Sequence, residues 1–302
     1  MAALACAAMR VATHSGGFHA DDVFAIAVLR LVHGKGLEVV RTRDRDLQQA
    51  CDLRVDVGGR DDPSTGDFDH HQRGGAGERA NGIRYASFGL VWREHGESLT
   101  GSAEAAAGVD EFLVQGVDAN DTGQTIVETL VGDVRPLSVS AVIAGFNPLW
   151  DEDLTSAEED DRFAAAVAAA EDIVRRSIAG AQAWQRARSL VHAAIERAED
   201  PRVVELERNM PWREPLVASA PEALFVIYPK SDGWALNAVP FDLGSFDNRL
   251  DLPEAWAGLT DEQLQAVTGV ADALFAHPAR FYASARSREG VIALARLALS
   301  AT

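Results

Sequence analysis

Cysteine is nearly absent from this chain of 302 residues: Cys6 and Cys51 are the only two, and neither sits in a CxxC or Cys/His zinc pattern. That excludes a thiolate zinc site. It makes a reduced, cytoplasmic setting the expected one, and any metal must be held by harder ligands. Basic residues are also scarce. Against 46 Asp and Glu stand 28 Lys and Arg, a net charge of −18. So negative a field repels duplex DNA, yet it does not exclude a small anionic substrate, because bound cations reverse the sign locally. No apolar run reaches the length of about 18 residues that a membrane helix requires, so no membrane partner is expected. The opening MAALACAAMR has neither a basic n-region nor a proper h-region, which argues against a secretory leader. Met9 stands as an alternative start to Met1. Neither GxSxG nor a P-loop occurs, so no serine-nucleophile or nucleotide-cradle motif competes for the chemistry.

What is present is an ordinary globular composition, 47% hydrophobic and 25% charged, long enough for a real core in one large or two ordinary domains. Arg10 to Thr13, Leu37 to Arg41 and Leu53 to Val57 read as short strands. The run VFAIAVLRLV after Asp21 and Asp22 reads as a helix between the first two. Alternating strands and helices predict a mainly parallel sheet, with the ligand crevice at the carboxyl ends of its strands. Helices are expected at 86–95 and 103–117, a polar turn at 117–123, and a turn at Asn147-Pro148. A long Ala-, Glu- and Arg-rich helical stretch follows at 157–200, its charges read as a solvated face. ALFVIYP and WALNAVP, separated by Lys230-Ser-Asp-Gly233, predict a β-hairpin. ALFAH at 273–277 predicts another strand, and 289–300 a closing helix. The expected organisation is α/β: an N-terminal metal-binding domain over 1–155, a helical connector over 156–200, and a smaller α/β substrate-binding domain over 201–302.

Four short segments place His or Asp where a strand ends or a turn begins: His14-Ser-Gly-Gly-Phe-His19-Ala-Asp21-Asp22, Val55-Asp56-Val-Gly-Gly59, Phe68-Asp69-His70-His71, and Val117-Asp118-Ala-Asn-Asp121-Thr-Gly123. Each has an ordinary structural reading. Asp56 before Gly-Gly is a turn residue, Asp21 and Asp22 complement a helix dipole, His14 is a hydrogen-bonded imidazole, and Asp118 and Asp121 are caps. Together they say more. Five of the eight histidines (His14, His19, His33, His70 and His71) fall in the first 71 residues, and four of them cluster with Asp. Imidazole and carboxylate without thiolate suit Mn²⁺, Mg²⁺, Fe²⁺, Co²⁺ or Zn²⁺. Two ions about 3.5–4 Å apart need a bridging carboxylate and several further protein ligands, and this inventory supplies them.

The ordered set HxxxxHxDD, VDVGG, FDHHQRG and VDAxDxG resembles the DHH phosphoesterase superfamily, and more narrowly the melanocyte-proliferating-gene (MYG) family of metal-dependent hydrolases. RTRD at 41–44, NPLW at 147–150, YPxxDGxWxxxAVP at 228–240 and SREG at 287–290 extend the likeness nearly end to end. The resemblance implies two divalent ions, with manganese the leading identity. His14 and His19 would bind one ion and Asp21 the other, Asp56 would bridge, and His70 and Asp118 would complete the second site. His71 would face the substrate phosphate, with Asp69 orienting an imidazole. His19 stands where related phosphoesterases carry a carboxylate. In the second domain Arg249, His277, Lys230 and Arg288 are the candidate substrate contacts. Ala283-Ser284 replaces the family's Gly-Gly, implying a stiffer loop if amides there cradle a phosphate. The implied activity is 3′→5′ exonucleolytic hydrolysis of short single-stranded RNA. The alternatives are a small-nucleotide phosphatase or phosphodiesterase, and a non-catalytic metal- or nucleotide-binding module. The sequence leaves the oligomeric state open, a homodimer included.

Overall fold

A computed structural model describes residues 8–34, 36–128, 132, 134, 136–245 and 247–301. Cys6 lies outside the described residues. The chain is mixed α/β and divides into two compact units, 1–182 and 183–302.

In the first unit, β1 (Arg10–Thr13), α1 (Ala20–His33) and β2 (Glu38–Arg41) form a parallel crossover. After the short α2 (Arg45–Gln49), β3 (Leu53–Val55) pairs in parallel with the other edge of β1. Two short strands, β4 (Asp61–Asp62) and β5 (Asp67–Phe68), complete the order β2-β1-β3-β5-β4, in which β4 alone runs antiparallel. The chain goes to one side of β1 for β2 and to the other for β3. The carboxyl ends of β1 and β3 therefore flank a topological switch point, where an open α/β sheet forms its crevice. Helix α1 is apolar from Val23 to Leu29, and Ala20 to Leu29 are all buried, so it serves as the centre of the core rather than a surface stripe. It packs on α3 (Ser87–Thr100), with the Phe24 and Phe88 rings stacked 5.0 Å apart.

The helical path then continues through α4 (Ala103–Val109), a π-helical turn (Asp110–Val114) and α5 (Gln115–Asp121). Residues 117–121, expected as part of a polar turn, are therefore helical. Val114 and Val117 are wholly buried, and their packing carries the helix through the polar residues. Next come α6 (Val139–Ala144) and α7 (Ser156–Arg197), a single helix of 42 residues within which the boundary between the units falls.

The second unit holds β6 (Val203–Glu205), α8 (Arg213–Ser219) and the expected hairpin, β7 (Phe225–Lys230) with β8 (Gly233–Ala238). They are followed by α9 (Asp261–Thr268), β9 (Ala273–Ala276), β10 (Tyr282–Ala285) and α10 (Arg288–Ser300). Its sheet runs β6-β7-β8-β10-β9, parallel only between β6 and β7. Ala283 and Ser284, expected in a substrate loop, lie in β10, paired on both sides with β8 and β9. Their small side chains are buried, and the strand has no apolar run to announce it. Among the described residues no helix is long and apolar enough to cross a membrane.

Candidate metal centre

Three adjacent parallel strands deliver the expected side chains to one place. His14 follows β1, Asp56 follows β3, and Asp69, His70 and His71 follow β5, while His19 to Asp22 open α1. Asp56 has φ +58°, a left-handed conformation that Asp tolerates better than most residues. Its backbone N–H donates to Phe68 O and its carboxylate accepts from Ser87 Oγ at 3.0 Å. The carboxylate thus points back into the crevice rather than along the strand.

Around Asp56 the contacts converge. His14 Nε2 lies 3.3 Å from its Oδ2, His70 Nε2 3.2 Å from its Oδ1, and His71 Nδ1 3.4 Å from the same oxygen. His14 Nε2 also lies 3.4 Å from Asp22, and His70 Nε2 lies 3.1 Å from Asp121 and 3.6 Å from Asp21. His19 Nδ1 approaches Asp121 at 3.6 Å. Among the described residues, three groups have geometry able to hold an ion: His14, His19 and Asp56; Asp56, His70 and His71; His19, Asp21 and Asp121. Asp56 belongs to two of them, as a bridging carboxylate would.

The donor set fits a hard divalent cation for a second reason. Asp21 Oδ1, Asp22 Oδ2 and His70 Nε2 are buried without a hydrogen-bond partner, although opposing ring nitrogens and carboxylates lie close by. Buried polar atoms left unpaired are costly, and a shared cation is one partner that would satisfy several of them at once. The protonation pattern agrees. Burial pushes Asp22 up to about 7 and Asp21 well above the ordinary carboxylate range. Asp56, though buried, is held below that range by the imidazoles of His14 and His70 close against it. His70, despite burial, is raised to about 10 by Asp121 and Asp56, and Asp56 raises His14 as well.

The loop that carries His14 and His19 is braced by residues singled out as family-like. Arg43 Nε donates to Ser15 O at 3.1 Å and Arg41 donates to Gly16 O. Asn147 clamps Phe18 from both sides, accepting from its N–H and donating to its carbonyl at 2.9 Å each. Asp22 accepts the backbone N–H of His19, so the cap reading and a place beside His14 hold together. Asp69 accepts from Gly59 N–H at 2.6 Å and lies 2.9 Å from His71 Nδ1, which fixes that imidazole at the mouth of the cleft.

Asp118 stands apart. Its Oδ1 accepts from Gly89 N–H and its Oδ2 pairs with Arg79 Nη2 at 2.9 Å, outside every metal-competent group. Asp121, one helical turn on, takes the place beside His70 and His19 that was expected of Asp118.

In the second unit Arg249 donates to the carbonyls of Val217, Ala220 and Ala223 at the end of α8. Arg288 pairs with both carboxylate oxygens of Glu205, and Lys230 pairs with Asp232 at 3.0 Å. His277 Nδ1 accepts from Ala279 N–H across its turn.

The centre opens into a cleft of about 1070 Å³ whose lining includes His14, His19, Asp56 and His71 together with four arginines: Arg43, Arg45, Arg54 and Arg60. Of these only Arg43 lies in a motif read from the sequence, RTRD at 41–44, and the sequence assigns no substrate role to any of the four.

Residues 10–299 match the family described as an uncharacterised protein family, UPF0160, under the label MYG1 exonuclease. The chain is 34% identical to the MYG1 exonuclease of Homo sapiens over 96% of its own length and 86% of that protein. It is 30% identical to a MYG1 protein of Schizosaccharomyces pombe (96% and 97%) and 32% identical to one of Saccharomyces cerevisiae (96% and 96%). The likeness runs through both units, and with it the chain belongs to the MYG1 exonuclease family.

Proposed function

We propose that this chain is a divalent-metal-dependent phosphodiesterase that removes nucleotides from the 3′ end of short single-stranded RNA by direct attack of water. The observation that carries the reading is the pair of metal-competent groups sharing Asp56, with buried, unpaired carboxylate and imidazole atoms around them. The name exonuclease borne by the human relative supplies the substrate class. His14, His19, Asp22 and Asp56 would hold one ion, and Asp21, Asp56, His70 and Asp121 the other, with manganese the leading candidate. Such ions supply Lewis-acid polarisation of phosphoryl oxygens and acidify a coordinated water.

The remaining steps belong to the chain itself. Asp56, kept ionised by His14 and His70, provides the shared negative charge, and Ser87 fixes its rotamer. His71, half exposed at the cleft and oriented by Asp69, stands where it can donate to a phosphoryl oxygen or to the departing ribose oxygen. Water adds to phosphorus, the P–O bond to the leaving strand breaks, and the proton passes to the released oxygen. Lys230, Arg249, His277 and Arg288 remain candidate contacts. Arg249 would act indirectly, because main-chain carbonyls already take its donors.

The test is a phosphodiester panel (short RNA, short DNA, dinucleotides, bis-p-nitrophenyl phosphate) with Mn²⁺. Asp56→Ala should abolish cleavage with the fold retained. Full activity in that variant, or no more than one bound ion in active wild type, would overturn the two-metal mechanism.

A further inference from the structure

The cleft beside the metal centre has a character opposite to that of the protein as a whole. In a chain of net charge −18, its lining carries four arginines, and the carboxylates among them are already engaged. Asp67 is buried and bound by Arg54, Arg60 and Thr65, and Asp69 by Gly59 N–H and His71. The arginines divide by role. Arg54 directs its donors to Asp67 and to the carbonyls of Cys51 and Thr65, so it holds the β3–β5 turn together. Arg43 is tethered through Nε to Ser15 O, next to His14, and its two terminal nitrogens stay available. Arg60, which lines the cleft, is tethered to Asp67 through Nε and Nη2, with no hydrogen bond from Nη1 among the described residues, and Arg45 is exposed with no ion pair among them. A guanidinium fixed at one end loses less freedom when it meets an anion, and its fork geometry matches phosphate.

We propose that Arg43, Arg45 and Arg60 form a track for the phosphodiester backbone of a single nucleic-acid strand, gripping phosphates beside the scissile one. The assignment rests on the phosphodiesterase reading and names how that site selects its substrate. A volume of about 1070 Å³ stands at the top of the range of roughly 300–1,000 Å³ that holds a whole drug-sized ligand, so a lone mononucleotide would fill it incompletely. Histidines are the only ring-bearing residues of the lining, and no Phe, Tyr or Trp offers a base-stacking platform. Contacts of this kind fix position on the strand and read no sequence. The strand is therefore held by its charge, over a few phosphates, with little base preference.

The experiment is fluorescence anisotropy of labelled six-nucleotide single strands (oligo-A, -C and -U) in metal-free buffer between 50 and 200 mM salt. Each phosphate contact on a single strand contributes about −0.7 to the slope of log K against log salt. Arg43→Gln with Arg60→Gln should make the slope shallower by about 1.4, and adding Arg45→Gln shallower still. Arg175→Gln, which removes a paired surface arginine on α7 that is not part of the cleft lining, serves as the charge control and should change nothing. The three homopolymers should bind within about threefold of one another, on backbone contacts alone. An unchanged slope in the folded multiple variant, a slope change equal to the control's, strong preference for one base, or no binding by wild type would each overturn the track. Because this arm needs no turnover, it separates from the catalytic reading. Wild type that binds through the arginines but cleaves nothing with Mn²⁺ refutes the phosphodiesterase alone. Cleavage with an unaltered slope refutes the track alone.

Discussion

On the metal-dependent reading proposed above, withdrawing divalent ions should change the stability of the first unit in a pH-dependent way whose sign follows from the buried carboxylates. Asp22 is fully buried and pushed up to about 7, against an ordinary value near 3.8. A carboxyl whose folded pKa is raised contributes stability that is complete below its unfolded pKa and is lost as pH rises through the folded one. For Asp22 alone the loss amounts to about 4 kcal/mol between pH 4 and 8. Asp21 moves the same way by burial. His14, raised by Asp56, also loses its contribution as pH climbs past its folded value, whereas His70 keeps its own until about 10. Asp56 has the opposite sign, its contribution vanishing on acidification below the ordinary carboxylate range. The metal-free unit should therefore weaken steadily from about pH 4 to 8.

Divalent cations reverse that trend, because they bind ionised carboxylates and neutral imidazoles and release the protons. At a metal concentration of about 100 times Kd the stabilisation is about 2.7 kcal/mol. For a unit of this size that is a rise in Tm of about 5–11 °C. Calorimetry of the whole chain at pH 5.5, 6.5 and 8, in EDTA and in Mn²⁺, measures it directly. The transition of the second unit, which contributes no residue to the metal-competent groups, is the internal reference. The shift should grow with pH and disappear in Asp56→Ala. A shift that is flat with pH, or that persists in Asp56→Ala, refutes the reasoning.

The other predictions concern single positions. Asp121→Asn should lower the bound-metal count or weaken metal affinity at least tenfold by isothermal titration, on the range found for altered metal surroundings. Asp118→Asn should keep two ions and instead lower Tm, because Arg79 loses a buried partner. Gly89→Ala should be among the most damaging small changes in the first unit. Its added Cβ would stand 1.9 Å from Asp118 Oδ2 and 2.8 Å from Arg79 Nη2. Displacing a buried pair costs about 3–5 kcal/mol, readable in urea unfolding. Arg249→Ala should destabilise the second unit by about 1.5–3 kcal/mol through carbonyls that lose a charged donor, visible in its calorimetric transition.

Much of the candidate site's placement could be read from the sequence because the fold rule and the chemistry of His and Asp coincide. His14, Asp56 and His70 each follow a short strand of the parallel sheet, and the carboxyl ends of parallel strands are where such a sheet opens. The hairpin at 225–238 and the helices at 156–197 and 288–300 were equally visible, since apolar periodicity and a Gly turn mark them. Strand β10 was not. Tyr-Ala-Ser-Ala has neither β-branched residues nor alternation, and its pairing on both edges, which no local pattern carries, makes it a strand.

The choice between Asp118 and Asp121 lay beyond local reasoning for a related cause. Both sit in VDANDTG, and either would serve as a cap or a ligand. What separates them is a residue about 40 positions earlier. Arg79, nearly buried and stacked on Tyr85, takes Asp118 into an ion pair shared with Asp110. Gly89 admits that carboxylate so closely that any side chain there would expel it. Once Asp118 is bound in this way, the helix presents Asp121 to His70 and His19 instead. The arginine thus takes Asp118 out of contention and leaves Asp121 as the acid beside His70 and His19. Arg79→Met should accordingly free Asp118 and lower Tm, while Asp121 keeps its place and two ions still bind. If metal stoichiometry falls to one in a folded Arg79→Met protein, Arg79 positions the ligand set itself and the division of roles between the two acids is wrong.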